Sequence, residues 1–203
     1  MPDDRTAAVA PPLLDRTAVG ARLRQMRKAR QMTLKQLSET SGVPLSTLSK
    51  MELAQVAVSY EKLAAAARGL NLDIAQLFRS SPTASTPAPA TVVVDSLAQV
   101  AGYSTGTYDY YPIAGAFPER RMTPAYARIF ARERGQFDDF IRHPGQEFAM
   151  VISGRVRIEF ETGEAVSIGP QQTAYFDSQV GHIYLSESED GGDAQVMVVM
   201  TDR

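Results

Sequence analysis

The chain has 203 residues, with 21 Lys and Arg against 23 Asp and Glu and no cysteine. This length suggests one or two domains, and the lack of cysteine excludes disulfides, thiolate catalysis and cysteine-based zinc fingers. No apolar run approaches the ~20 residues that span a bilayer, and residues 1–15 lack the hydrophobic core of a signal peptide. We therefore expect a cytoplasmic protein with no membrane partner.

The charge is divided unevenly along the chain. Residues 1–80 hold 12 Lys and Arg against 7 Asp and Glu, a net of +5, whereas residues 81–203 hold 9 against 16, a net of −7. A basic half suits contact with phosphates, and an acidic half would be repelled by nucleic acid. The sign of the charge thus favours DNA binding by the N-terminal half.

The N-terminal half begins with a predicted flexible tail over residues 1–17. A basic helix follows over residues 19–30, with Leu23 and Met26 on its apolar side. After it, residues 33–52 predict two short helices joined by a tight turn. The second helix of such a pair is the one that enters a DNA groove.

Residue types at fixed positions support this helical pair. Thr33 is an N-cap with Gln36 as its capping-box partner, and Gly42 supplies the left-handed turn. Leu48 and Met51, three residues apart, are expected to bury the inner face of the second helix. The start of that helix therefore presents small hydroxyls and a lysine to the outside.

The candidate DNA contacts lie on this outward face and on the helices before it. Four of them are expected to reach base edges in the major groove: Leu45, Ser46, Thr47 and Lys50. Others are expected to contact phosphates: Thr33, Lys35, Ser49 and Arg22.

Two further helices complete a small domain. Residues 59–70 and 72–78 carry apolar residues at helical spacing. The resulting five-helix pattern over residues 18–79 resembles the XRE family of helix-turn-helix regulators, which includes the phage repressors. The resemblance implies a lambda-repressor-like all-α fold and DNA binding.

The same resemblance implies two details of the helical domain. Arg27 and Glu52 would form a buried ion pair between the first helix and the recognition helix. The family usually has glycine two residues after that glutamate, where this chain has Ala54. We therefore expect the exit from the recognition helix to be shaped differently.

A linker and a second, all-β domain are predicted next. Residues 80–91, rich in Pro, Ser, Thr and Ala, form the linker. Over residues 92–203 the apolar period changes to two, which indicates an antiparallel sandwich or barrel. The predicted strands are separated by glycine-containing turns and cover residues 124–132, 147–153, 155–160, 172–176, 182–185 and 194–201.

This second half resembles the cupin fold, a double-stranded β-helix barrel. The residues in register with the first cupin motif are Gly135, Ile141, His143, Glu147 and Gly154. Ile141 replaces the first histidine of that motif, and His182 falls on the histidine of the second motif. Together the two halves resemble XRE–cupin transcriptional regulators, in which the cupin domain acts as sensor and dimerisation domain.

The only two histidines of the chain, His143 and His182, fall on cupin ligand positions together with Glu147. Two imidazoles and a carboxylate suit Fe(II), Zn, Ni or Mn and leave coordination positions open. Alternatively, these groups bind one another or an organic effector directly. With Tyr184 they form the predicted effector pocket.

Arginines on a predicted strand are a weaker candidate. Tyr126, Arg128, Phe130 and Arg132 share one face of the segment 124–132. If that face were the barrel interior, the arginines could clamp a carboxylate or phosphate. We favour the solvent-facing alternative because charged groups are seldom buried unpaired.

The sequence thus predicts a homodimeric transcriptional regulator that binds double-stranded operator DNA, reads half-sites about 34 Å apart and responds to a small-molecule effector. The alternative is an enzyme, because some mononuclear-iron epoxidases join an XRE-like helical domain to a cupin and share the spacing of His143, Glu147 and His182. In a third possibility the cupin only dimerises the protein, and no metabolite changes its DNA affinity.

Overall fold

The architecture comes from a computed structural model, in which residues 12–56, 58–78, 91–118, 120–189 and 191–201 are described. The predicted linker 80–91 lies outside the described residues, apart from Thr91. The helical half contains α1 (Arg16–Ala29), α2 (Leu34–Ser41), α3 (Leu45–Glu52), α4 (Tyr60–Gly69) and α5 (Ala75–Phe78).

Local sequence signals set the helix-turn-helix unit as predicted. Thr33 Oγ1 accepts from the Gln36 amide at 3.1 Å, and the Gln36 side chain accepts in return from the Thr33 amide at 2.8 Å. Gly42 ends α2 with a left-handed φ of 72°. Leu48 and Met51 are buried, so the inner face of α3 is the predicted one.

A buried ion pair joins α1 to α3. Arg27 Nε and Nη2 donate to the two carboxylate oxygens of Glu52 at 2.6 and 2.8 Å, and Arg27 Nη1 donates to the Met32 carbonyl at 2.7 Å. Because a guanidinium fits a carboxylate bidentately, this pair fixes both helices. The ion pair implied by the family resemblance is present.

The exit from α3 keeps a left-handed residue without glycine. Ala54 has a φ of 55°, its amide donates to the Met51 carbonyl at 3.1 Å, and the Gln55 amide donates to the Lys50 carbonyl at 2.9 Å. This pair of bonds is the Schellman arrangement. Alanine therefore takes the left-handed position at which the resembled family usually has glycine, and it bears the strain of that conformation.

The second half is built on two β-sheets, which also include one strand from the start of the chain. The strands are β1 (Leu13–Leu14), β2 (Gly102–Ser104), β3 (Tyr108–Pro112), β4 (Met122–Ile129), β5 (Gln146–Ser153), β6 (Val156–Phe160), β7 (Ala165–Ile168), β8 (Thr173–Asp177), β9 (His182–Ser186) and β10 (Ala194–Thr201). One sheet has the strand order β1-β2-β3-β4-β10-β5-β8 and the other the order β7-β6-β9. Alternating burial along β10 and β5 places one face of each strand in the interior.

The predicted tail is wrong for residues 13–17. Leu13 and Leu14 pair in parallel with Gly102 and Tyr103 of β2. Asp15 then caps α1 by accepting from the Thr17 amide at 3.1 Å. The two leucines offer apolar side chains and free backbone groups to a sheet edge, and this pairing outweighs the entropy of a loose tail.

The helical half docks against the barrel. The ring of Tyr60 on α4 stacks on Tyr110 of β3, with centroids 4.5 Å apart. The Val58 amide donates to the hydroxyl of Tyr103 at 3.2 Å, and Arg120 forms an ion pair with Asp73. Apolar residues of both halves belong to one continuous core, so contacts beyond any linker connect the two domains.

Candidate functional site

A tight turn brings the first two site residues together. His143 and Glu147 flank Gly145, whose φ is 89°. A side chain at Gly145 would overlap the backbone carbonyl of Thr201 on the neighbouring strand. Glycine is therefore needed for the turn that carries His143 while β5 carries Glu147.

His182, at the start of β9, completes a cluster of three. His143 Nε2 lies 2.9 Å from Glu147 Oε2, and His182 Nε2 lies 3.6 Å from the same oxygen. The side chains of Glu147 and His182 are 5% and 2% exposed. The structure therefore brings together the three residues predicted as metal ligands, and we call them the triad.

Neighbouring carbonyls orient both imidazoles. His182 Nδ1 lies 2.9 Å from the Val180 carbonyl, and His143 Nδ1 lies 3.4 Å from the Pro144 carbonyl. In each neutral ring a proton on Nδ1 would donate to that carbonyl and leave the lone pair of Nε2 directed at the centre. This is the outer-shell pattern of metal-binding histidines.

Ionisation of the triad follows from burial and mutual contact. Burial by itself raises the pKa of Glu147, but hydrogen bonds from His143 and His182 and their charges lower it to about 2. Burial lowers the pKa of His143, yet the hydrogen bond and charge of Glu147 outweigh it, so the net pKa is raised. The pair is therefore charged at mildly acidic pH.

The donor set fits a divalent metal ion. One ligand atom from each triad residue lies within 4.8 Å of the others, and the three atoms converge on one point inside the barrel. Two imidazoles with one carboxylate suit Fe(II), Zn, Ni or Mn. The cavity they line has a free volume of about 10 Å³, enough for one water or one ion.

Tyr184 also belongs to this site. Its hydroxyl donates to Glu147 Oε1 at 2.5 Å, so both carboxylate oxygens of Glu147 have partners. The backbone of Tyr184 is held in turn by Tyr108, whose hydroxyl donates to the Tyr184 carbonyl at 2.9 Å and accepts from its amide at 2.6 Å. The predicted effector-pocket residues thus share one cavity, and their role toward an effector stays a prediction.

Sequence reasoning missed Glu61, a cavity residue from the other domain. Glu61 lies in the first turn of α4 and lines the triad cavity beside Tyr110, His143 and His182. In the sequence an acidic residue in a first turn is explained by the helix dipole alone. Only the docking of α4 on the barrel reveals its position.

The arginines of segment 124–132 do not line this cavity. Ala127 and Ile129 face the cavity, so Arg128 lies on the opposite face and pairs with Asp193 at 2.6 Å and Asp109 at 3.6 Å. Arg132 follows the strand and donates to the Gly192 carbonyl at 2.6 Å. The favoured outward direction is correct, although both side chains have protein partners.

The predicted DNA contacts form a surface on α2 and α3, and the barrel does not bury it. Leu45, Ser46 and Lys50 are exposed, whereas Thr47 and Ser49 are half-buried. Thr33 and Lys35 are exposed at the start of α2. Arg22 is half-buried on α1, where its Nη1 donates to the Gln25 side chain at 3.3 Å.

Comparison with known domains agrees with this architecture. The family model of a helix-turn-helix domain matches residues 18–78, and that of a cupin domain matches residues 130–200. The chain therefore combines a helix-turn-helix DNA-binding domain with a cupin domain. This is the composition of the XRE–cupin regulators that the sequence resembles.

Two solved structures align with most of the chain at low sequence identity. A helix-turn-helix transcriptional regulator of the HTH_3 family from Vibrio cholerae aligns with a TM-score of 0.59 and 16% identity, covering 92% of this chain and 96% of that chain. Hydroxypropylphosphonic acid epoxidase from S. wedmorenis aligns with a TM-score of 0.49 and 16% identity, covering 91% and 97%. A sequence search of curated proteins found no match. Among the described residues, none of the helices has the length and hydrophobicity needed to cross a bilayer.

Proposed function

We propose that this protein binds operator DNA as a homodimer and regulates transcription in response to a ligand of its cupin domain. The observation that carries the proposal is the recognition helix. Its inner residues Leu48 and Met51 are buried while Leu45, Ser46 and Lys50 are exposed. Such a helix presents polar groups to the major groove on a rigid support.

Dimerisation follows from the size of this surface. One recognition helix reads a half-site of a few base pairs, so specific binding requires two copies about 34 Å apart on one DNA face. The family resemblance assigns dimerisation mainly to the cupin domain. Light scattering of the full chain, free and on DNA, measures this stoichiometry.

The triad supplies the metal part of the proposal. His143, Glu147 and His182 would hold a divalent ion, and Tyr184 would orient the carboxylate. A bound ion of this kind acts as a Lewis acid that can coordinate an oxygen- or nitrogen-bearing ligand. Metal analysis after dialysis of untagged protein tests the site.

An organic effector needs more room than the triad cavity offers. A groove of about 490 Å³ lies between the domains, and Tyr110, Glu61 and Ile141 line both this groove and the triad cavity. Its volume is that of a small-molecule site, and such sites are common at domain boundaries. The proposed effector would occupy the groove and approach the triad past these three residues.

The decisive experiment is a footprint on the promoter beside the protein's own gene, repeated with metabolites of adjacent pathways. A protected site with two half-sites, shifted by one metabolite, is the expected result. Binding that no metabolite changes would leave the cupin as a dimerisation module only. Absence of any salt-sensitive site preference would overturn the proposal.

An enzyme is the second candidate, and the arrangement of the triad favours it. Two histidines and one carboxylate with open positions also occur in iron oxygenases. The measurement that separates the two candidates is turnover with Fe(II) and oxygen, assayed by product formation. Catalysis without operator binding would replace the regulator with the enzyme.

A further inference from the structure

Glu61 places a carboxylate of the DNA-binding domain at the ligand site of the other domain. The side chain lies half-buried in the first turn of α4 and lines the triad cavity. The adjacent Tyr60 stacks on Tyr110, which lines the same cavity, and this contact holds the start of α4 at the barrel mouth. Removal of α4 would open the cavity to solvent.

The charges in this cavity are unbalanced without a cation. Glu147 is satisfied by His143, His182 and Tyr184. Burial raises the pKa of Glu61, and hydrogen bonds from its own amide and from Ser59, together with the positive charges of the two histidines, only partly oppose this. A second carboxylate beside Glu147 therefore weakens the docking of α4, because burying an incompletely paired charge costs free energy.

A divalent cation in the triad would reverse this balance. One carboxylate and two neutral imidazoles leave a net charge of +1 on the bound ion and its ligands. A second carboxylate in the same low-dielectric cavity neutralises that charge, and such attraction is strong away from bulk water. The ion would then stabilise the docked position of α4.

We propose that Glu61 makes the barrel site a two-domain cation site, in which a divalent ion held by the triad also draws α4 of the DNA-binding domain onto the barrel mouth. This inference rests on the proposed metal binding by the triad. Linkage makes the effect reciprocal, so docked domains bind the ion more tightly. Ion occupancy thereby fixes the recognition helix relative to the barrel.

We expect Glu61 to lie outside the ligand set of the ion. Among the described residues, the group placed to hold an ion is the triad. Groups that surround metal ligands typically change affinity by about 10–100-fold. A purely structural Glu61 would instead serve the helix dipole of α4, and its loss would leave ion affinity unchanged.

The test uses Co²⁺ as the probe, titrated into the full chain and followed by visible absorption. Glu61→Gln should weaken Co²⁺ binding by about 10–100-fold. Glu39→Gln, which removes an exposed carboxylate from α2, is the matched control and should stay within about twofold of wild type. Equal affinity of wild type and Glu61→Gln would overturn the inference.

Hydrogen exchange gives a second readout that does not depend on the measured affinity. Co²⁺ should slow amide exchange in α4 (Tyr60–Gly69), and this slowing should be lost in Glu61→Gln. Co²⁺ binding without protection of α4 would contradict the two-domain site alone. Failure of the wild type to bind Co²⁺ would instead remove the proposed metal function, and this inference with it.

Discussion

Each half of the molecule buries one glutamate against basic partners, and the two clusters differ in chemistry. In the helical domain, Glu52 meets Arg27, which is always protonated and donates through Nε and Nη2. In the barrel, Glu147 meets His143 and His182, whose ring nitrogens can bind a metal. The comparison teaches that the partner of a buried carboxylate separates a structural ion pair from a ligand site.

The largest expected effect concerns the structural pair. Arg27→Met leaves Glu52 buried without its partner and should destabilise the protein by about 3–5 kcal/mol. The double variant Arg27→Met/Glu52→Leu removes both charges and should recover most of this loss. Chemical unfolding followed by circular dichroism measures both variants.

The exposed Arg24 on α1 offers the control for this experiment. Arg24→Met should change the free energy of unfolding by less than about 0.5 kcal/mol. If Arg27→Met cost no more than Arg24→Met, the ion pair would not hold α1 to α3, and the contrast between the two clusters would fail.

The second prediction concerns pH and the metal-free triad. The lowered pKa of Glu147 contributes stability above its usual value of 4.5, lost as pH falls toward about 2. The raised pKa of His143 contributes stability below its usual value of 6.5, lost as pH rises through the raised value. The triad should therefore stabilise the barrel most between pH 4.5 and 6.5.

Glu147→Gln tests this window. It should destabilise the metal-free protein by about 2–3 kcal/mol near pH 5.5 and by less near pH 9, measured by chemical unfolding in the presence of a chelator. Added metal should reverse the trend, because protons compete with the ion for His143 and affinity rises with pH. A difference between wild type and variant that is constant with pH would show that the triad is not ionised as described.

The fold was predictable where the signal is local. The residues Thr33, Gln36 and Gly42 specify caps and a turn through their own side chains or backbone freedom, and the structure has each as expected. By contrast, β3 (Tyr108–Pro112) is buried at every position and shows no alternation from which a strand could be predicted. Likewise, the pairing of Leu13–Leu14 with β2 depends on a partner far along the chain.

The site divides in the same way. His143, Glu147 and His182 were predictable because the chain has only two histidines and both fall in a known register. The contribution of Glu61 was not, since it depends on how α4 docks on the barrel. The outward direction of Arg128 was predictable from its charge, but its partners Asp193 and Asp109 were not, since neither residue type nor spacing reveals them.

The third prediction concerns the exposed surface of the recognition helix. Lys50→Ala should weaken operator binding by about 1–3 kcal/mol, or about 5–150-fold, because a major-groove contact is lost. Fluorescence anisotropy on operator and random duplexes measures the effect. Lys62→Ala, at an exposed position of α4, serves as the control and should change binding much less. An equal loss on random DNA would make Lys50 a phosphate contact.

The smallest effect concerns the end of α3, where a left-handed backbone position holds alanine and not glycine. Ala54 adopts a φ of 55° within a Schellman exit, a conformation that costs a residue with a side chain about 1–2 kcal/mol and glycine almost nothing. Ala54→Gly should therefore stabilise the protein by about 0.5–1 kcal/mol, after the added freedom of the unfolded chain is subtracted. The same substitution at Ala21, exposed within α1, should destabilise it by about 1 kcal/mol. If thermal unfolding gives changes in stability of opposite sign for the two variants, the strain lies at Ala54. If both variants are less stable than wild type, the contacts of α3 with α1, and not its exit, dominate the stability of the recognition helix.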